Sequence, residues 1–216
     1  VAEDSVARDM GLAALILTGF AIAGTGLVAL TYTSTRDSID AAQRAALEAS
    51  LNALIPADRY DNRLIEDRIT VTDPVALGTP EPVVVYRARK AGQSVALLAT
   101  TVAPDGYSGP IRLLIGVYAD GTLAGVRVLS HQETPGLGDG IDLKRSTWIL
   151  SFTGKSLDNP ESDGWKVKKD GGIFDQFTGA TITPRAVVKA IRRFLEYLKA
   201  HRDQLFAPAA SKENAA

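Results

Sequence analysis

The sequence predicts an α+β protein: a domain built on an antiparallel sheet, attached to a single apolar helix near the start of the chain. Three observations predict it. No charged residue occurs between Asp9 and Arg36. Four runs rich in β-branched and aliphatic residues follow at hairpin spacing, and one long amphipathic segment comes last. Strands in succession with short connections, then a helix, favour antiparallel pairing over a βαβ layout.

The apolar run Gly11 to Tyr32 comes first. As a helix at 1.5 Å per residue it reaches roughly 33 Å, enough to cross a bilayer core. Tyr32 falls where an interfacial aromatic belongs. A cleaved signal peptide is the competing reading, but the run is long for one and no clear A-x-A site follows. Gly19, Gly24 and Gly26 offer close packing to another helix. Arg8 before the run and Arg36 and Arg44 after it leave the orientation undecided by charge.

Ser38 to Ile55 has apolar residues at helical spacing, with Asp37 or Ser38 as cap and Pro56 as stop. The stretch 57–82 is mixed and polar, broken by Pro74, Gly78, Pro80 and Pro82. Strands are predicted at Val83–Ala88, Ser94–Val102, Ile111–Tyr118 and Leu123–Leu129, the last two joined by the turn Asp120-Gly121. Trp148–Phe152 and Trp165–Lys168 are read as short strands. A helix is predicted from Pro184 to about Leu205, with Thr183 as N-cap. The resulting organisation is a tail and anchor over 1–35, a linker helix and connecting segment over 36–82, a domain over 83–206 and a flexible tail over 207–216.

Composition narrows the function. The 216 residues carry a net charge of −1, which gives no electrostatic case for a nucleic-acid partner. Cysteine is absent, which excludes disulfides, cysteine-ligated clusters and thiol catalysis. The two histidines, His131 and His201, cannot supply a histidine-rich metal site, so no metal ligands are assigned.

Two glycine-bearing loops look chemical. Glu133-Thr134-Pro135-Gly136-Leu137-Gly138 follows a predicted strand, and its glycines let backbone approach something flat. A plain surface turn is the alternative. His131 and Glu133 lack a nucleophile partner beside them, which weakens an acid–base reading. The second loop runs Asp175 to Thr183 and feeds directly into the last helix. Helix N-termini attract phosphate. Gly179 and Ala180 leave room there, and Thr178, Thr181 and Thr183 bring hydroxyls. The loop is neither a Walker A nor a dinucleotide fingerprint. On spacing alone, phosphate binding and simple capping fit equally well.

These residues resemble a known family. Asp175, Thr178, Gly179, Ala180 and Thr181 match D-x-x-[ST]-G-A-T, the acceptor motif of covalently flavinylated FMN-binding domains. Glu133–Gly138 matches the family's second landmark, and Gly106–Pro110 lies ahead of the Asp120-Gly121 hairpin as it does there. The anchored arrangement is similar to the RnfG component of the Rnf electron-transport complex, and also to the corresponding flavin-bearing component of the sodium-translocating NADH:quinone reductase. An anchored FMN-binding sensor is a further alternative.

The resemblance implies an FMN-binding domain with a curved antiparallel sheet and flanking helices. It implies one FMN, joined through its phosphate to Thr181. It places Glu133, Thr134, Pro135, Gly136, Leu137 and Gly138 against the isoalloxazine ring, and Thr178, Gly179, Ala180 and Thr183 around the attachment point. Asp175 is implied in recognition by the flavin transferase that installs the cofactor. Tyr107 and Trp148 are weaker candidates for ring contacts, with core packing as the alternative. The implied role is electron relay between other subunits of an ion-translocating complex, not stand-alone catalysis and with no catalytic residue of its own. The implied setting is the bacterial inner membrane, single-pass, with the domain on the periplasmic side.

Overall fold

A computed structural model describes residues 2–207. The chain divides into two compact units, Val1–Leu47 and Glu48–Ala216. The first unit is helical throughout its described length, as part of α1 (Ala2–Asn52). Within it, Met10–Arg36 is long and apolar enough to cross a membrane. The hydroxyls of Thr18, Thr31 and Thr35 donate back to the carbonyls of Ala14, Leu27 and Thr31. Such bonds satisfy polar groups that lipid could not. The separate helix expected from Ser38 does not start afresh, because the backbone stays helical through Asp37 and Ser38.

The second unit is a five-stranded meander in the order β1-β2-β3-β4-β5, every neighbour antiparallel. The strands are β1 (Arg68–Val71), β2 (Val83–Lys90), β3 (Gln93–Ala103), β4 (Ile111–Tyr118) and β5 (Leu123–Ser130). Four of them match the predicted runs. Register shifts at Ala88/Arg89, Arg112/Leu113 and Gly116/Val117 bend the strands that carry them.

One face of the sheet carries Leu97, Ala99, Leu113 and Ile115, which join the main core with Val187, Ile191, Phe194 and Leu198 of the long C-terminal helix (Ile182–Ala200). Alternate strand residues point the other way, and Ala96, Leu98 and Leu114 are buried there too. On that side Leu54 lies over Gly116 and Gly125, which face each other across β4 and β5. An added Cβ at Gly125 would stand 2.9 Å from Leu54 Cδ2.

Several expectations are corrected. Trp148–Phe152 forms a 3-10 helix, not a strand, and buries Trp148, Ile149 and Phe152 against the core. A short apolar run has no periodicity to separate the two forms. Trp165–Lys168 makes only one isolated parallel bridge, Val167 to Phe174. Trp165 joins an aromatic cluster in which Phe152 stacks on Phe174 at 4.5 Å between centroids. The polar stretch 57–82 hides β1 and the short helix α2 (Pro74–Leu77), capped by Asp73, whose carboxylate accepts the N–H groups of Val75 and Ala76. The last predicted helix is two: α3 (Ile182–Ala200), and a final turn α4 (Arg202–Leu205). The N-cap position of α3 is Thr181, without a side-chain capping bond, and Thr183 sits inside the first turn. Of the tail expected to be flexible, everything after Ala207 lies outside the described residues.

Candidate functional site

The two loops singled out in the sequence meet. A pocket of about 140 Å³ is lined by Glu133, Thr134, Leu137 and Gly138 from one, and Gly179, Ala180, Thr181 and Thr183 from the other. Tyr107 and Ile182 complete it. The first loop leaves the end of β5, and the second runs into α3, which packs on the same sheet. That shared packing brings together segments far apart in the chain.

Glu133 is the link between them. It is 4% exposed. One carboxylate oxygen accepts the Ser108 backbone N–H at 3.0 Å, and the other accepts the Thr183 hydroxyl. Its own N–H donates to His131 Nδ1 at 3.1 Å. The carboxylate thus joins the 106–110 segment, its own loop and the first turn of α3. Gly138 is part of that arrangement, since a Cβ there would lie 2.7 Å from Glu133 Oε2 and 2.9 Å from Thr183 Oγ1. Both Glu133 and Thr183 therefore spend their side-chain hydrogen bonds inside the protein.

The loop 134–138 is a tight turn in which the Leu137 and Gly138 N–H groups donate to Thr134 O, both at 3.1 Å. Asp139, buried, accepts the Gly136 N–H at 2.8 Å and pairs with Arg145 at 3.3 Å. Leu137 stays 49% exposed at the pocket edge. Pro135 is exposed and lies off the pocket, while Gly136 and Thr178 line an adjoining shallow hollow with Leu137 and Arg145.

The loop before α3 turns through Gly179 at φ +77°, a left-handed conformation that favours glycine, and Ala180 N–H donates to Phe177 O at 3.1 Å. Thr181 is half-buried at the mouth of α3. The first-turn N–H groups of a helix have no intrahelical acceptors, so Ile182 and Thr183 present theirs at this end. Asp175 is exposed and pairs with Lys168 at 2.6 Å, away from the pocket lining. Its carbonyl accepts the Trp148 indole N–H at 2.8 Å. Trp148 is thus a core residue that braces the loop. Tyr107 does not pack into the core; it is 69% exposed on the pocket wall. Ile182 carries no signal of its own in the sequence, and only its place between two threonines could have flagged it.

The arrangement offers a hydroxyl, free backbone donors and an apolar rim around one small hollow. It suits a phosphate at the helix mouth beside an apolar rim. Comparison with known proteins points the same way. Residues 106–196 match the FMN-binding domain family, and residues 7–54 match the RnfG N-terminal region. The G subunit of the ion-translocating oxidoreductase complex of Vibrio vulnificus (strain YJ016) is 51% identical over 191 residues, covering 88% of this chain and 90% of the relative. That of Pseudomonas aeruginosa (strain UCBPP-PA14) is 50% identical over 201 residues, covering 93% and 94%.

The chain belongs to the RnfG family of ion-translocating oxidoreductase complex subunits. In this RnfG-family chain the FMN-binding domain match begins at Gly106, which packs on Glu133, and so takes in the whole pocket. The N-terminal match ends at Leu54, the residue seated over Gly116 and Gly125.

Proposed function

We propose that this chain is the membrane-anchored flavoprotein subunit of an ion-translocating ferredoxin:NAD⁺ oxidoreductase (Rnf) complex, relaying electrons through one FMN held covalently on Thr181. The observation that carries the reading is the pocket itself. It joins Thr181 to the Glu133–Gly138 loop, yet at about 140 Å³ it is smaller than the roughly 300–1,000 Å³ of sites that engulf a ligand. A hollow that small retains a flavin poorly by contact alone. A covalent bond removes dissociation altogether and leaves the ring open to partner subunits.

The residues take the following parts. Thr181 Oγ would carry the FMN as a phosphoester; in forming it from FAD the hydroxyl would give its proton to the transferase and AMP would depart. Threonine hydroxyls are weak nucleophiles at neutral pH, so a separate flavin transferase supplies the activation. The exposed Asp175 and Thr178 are available to that enzyme. The N–H groups of Ile182 and Thr183 hold the phosphate at the helix mouth. Leu137 and the backbone of 134–138 border the ring, and Gly179 and Ala180 keep the approach clear. Glu133 and Thr183 fix the two loops against each other. When bound, FMN supplies one- and two-electron chemistry, which lets the subunit bridge unlike carriers.

Met10–Arg36 holds the subunit in the bacterial inner membrane as a single pass, with the domain on the periplasmic side. The partners are the other subunits of the complex and the lipid bilayer. Replacing Thr181 by Ala tests the reading. Flavin fluorescence of the denatured band in a gel should vanish while the protein still accumulates in membranes. Fluorescence that persists puts the attachment elsewhere.

A further inference from the structure

From Glu48 onward every described aromatic residue is buried or half-buried except Tyr107. Tyr107 keeps 69% of its surface exposed. It is not on a loose tip. The next residue, Ser108, donates its N–H to Glu133 at 3.0 Å, and at Gly106 an added Cβ would lie 2.2 Å from Gly109 O. Asp105, two residues before Tyr107, pairs with Lys189 of α3 at 2.7 Å. The backbone under the phenol ring is therefore fastened at a set point of the pocket wall.

Leu137 and Ile182 stand on the same rim, 49% and 47% exposed. Single exposed apolar side chains are ordinary, but three around one hollow mark a binding surface. The hollow is too small to take in a tricyclic ring, so such a ring must be bordered by the rim. An aromatic side chain there can stack on it in an offset or edge-on geometry.

We infer that Tyr107, which lies outside both loop motifs, is a cofactor-contacting residue that covers one face of the flavin ring. The inference rests on the proposed attachment at Thr181. Stacking needs the aromatic ring and not the hydroxyl, so Phe should replace it and Ala should not.

The test uses the full-length protein in detergent, made in cells that also express a flavin transferase. Iodide quenching of flavin emission, with each slope divided by that variant's own unquenched lifetime, measures how open the ring is, and intact mass under denaturing conditions measures how much flavin is attached. Tyr107→Ala should carry the same adduct as wild type and show a severalfold steeper iodide dependence. Tyr107→Phe should keep the wild-type slope. Tyr107→Ala with full adduct and an unchanged slope overturns the inference alone. A wild-type protein without adduct on Thr181 overturns the attachment, and this inference with it.

Discussion

Glu133 gives up both carboxylate oxygens to partners inside the protein, one to the Ser108 N–H and one to the Thr183 hydroxyl. The cost of removing it follows from the groups left behind. Glu133→Ala strands the buried Thr183 hydroxyl and frees the Ser108 N–H to solvent, and an unsatisfied buried group costs about 1–3 kcal/mol. The variant should melt at a lower temperature and lose the proposed flavin attachment, because the 175–183 loop is no longer held to the 131–138 loop. Calorimetry and denatured mass read the two effects separately. Attachment at the wild-type level would mean that the link has no part in presenting Thr181. The residue types of this link were visible in the sequence, but the roles were not. Glu133 and Thr183 stand fifty positions apart. Nothing in local spacing says that one hydroxyl will be spent on one carboxylate.

At the scale of elements, α3 ties the pocket together from below. Arg185 in its first turn pairs with Asp170 through two contacts of 2.6 Å, and Lys189 pairs with Asp105 at 2.7 Å. The hydrogen bond from Arg185 holds the Asp170 carboxyl below its ordinary value, and that from Lys189 does the same for Asp105. A carboxyl lowered in the folded state contributes stability above its unfolded value, and the contribution is lost as pH falls through the folded value. Both pairs are solvent-exposed, so the effect is small. Asp170→Asn should melt slightly below wild type at neutral pH, and the gap should close as the pH drops below the ordinary aspartate range. A gap that widens on acidification would contradict this assignment.

The segment just after α1 matters differently. Leu54 fills the slot over Gly116 and Gly125, so Leu54→Ala opens a cavity and should cost about 2–5 kcal/mol. Chemical denaturation of the full-length protein in detergent checks it. β2 to β5 were legible because their runs of β-branched and aliphatic residues and the Asp120-Gly121 turn stand out in the sequence. β1 was not, because its four residues sit among prolines and charges and become a strand only by pairing with β2. Trp148–Phe152 misled because its large apolar residues serve the core equally well from a 3-10 turn.

For the whole molecule, one long apolar helix, a five-stranded meander and a small pocket between two loops form the frame on which the proposed relay rests. The two loop motifs made the candidate site readable as chemistry. Their meeting at one place needed the fold, since the sheet and α3 set their distance apart. The most direct measurement is the mass of the denatured full-length protein from cells able to install the flavin, followed by peptide mapping. One FMN adduct on the peptide that contains Thr181 is the predicted result. A bare Thr181, or the adduct on another residue, would contradict the account.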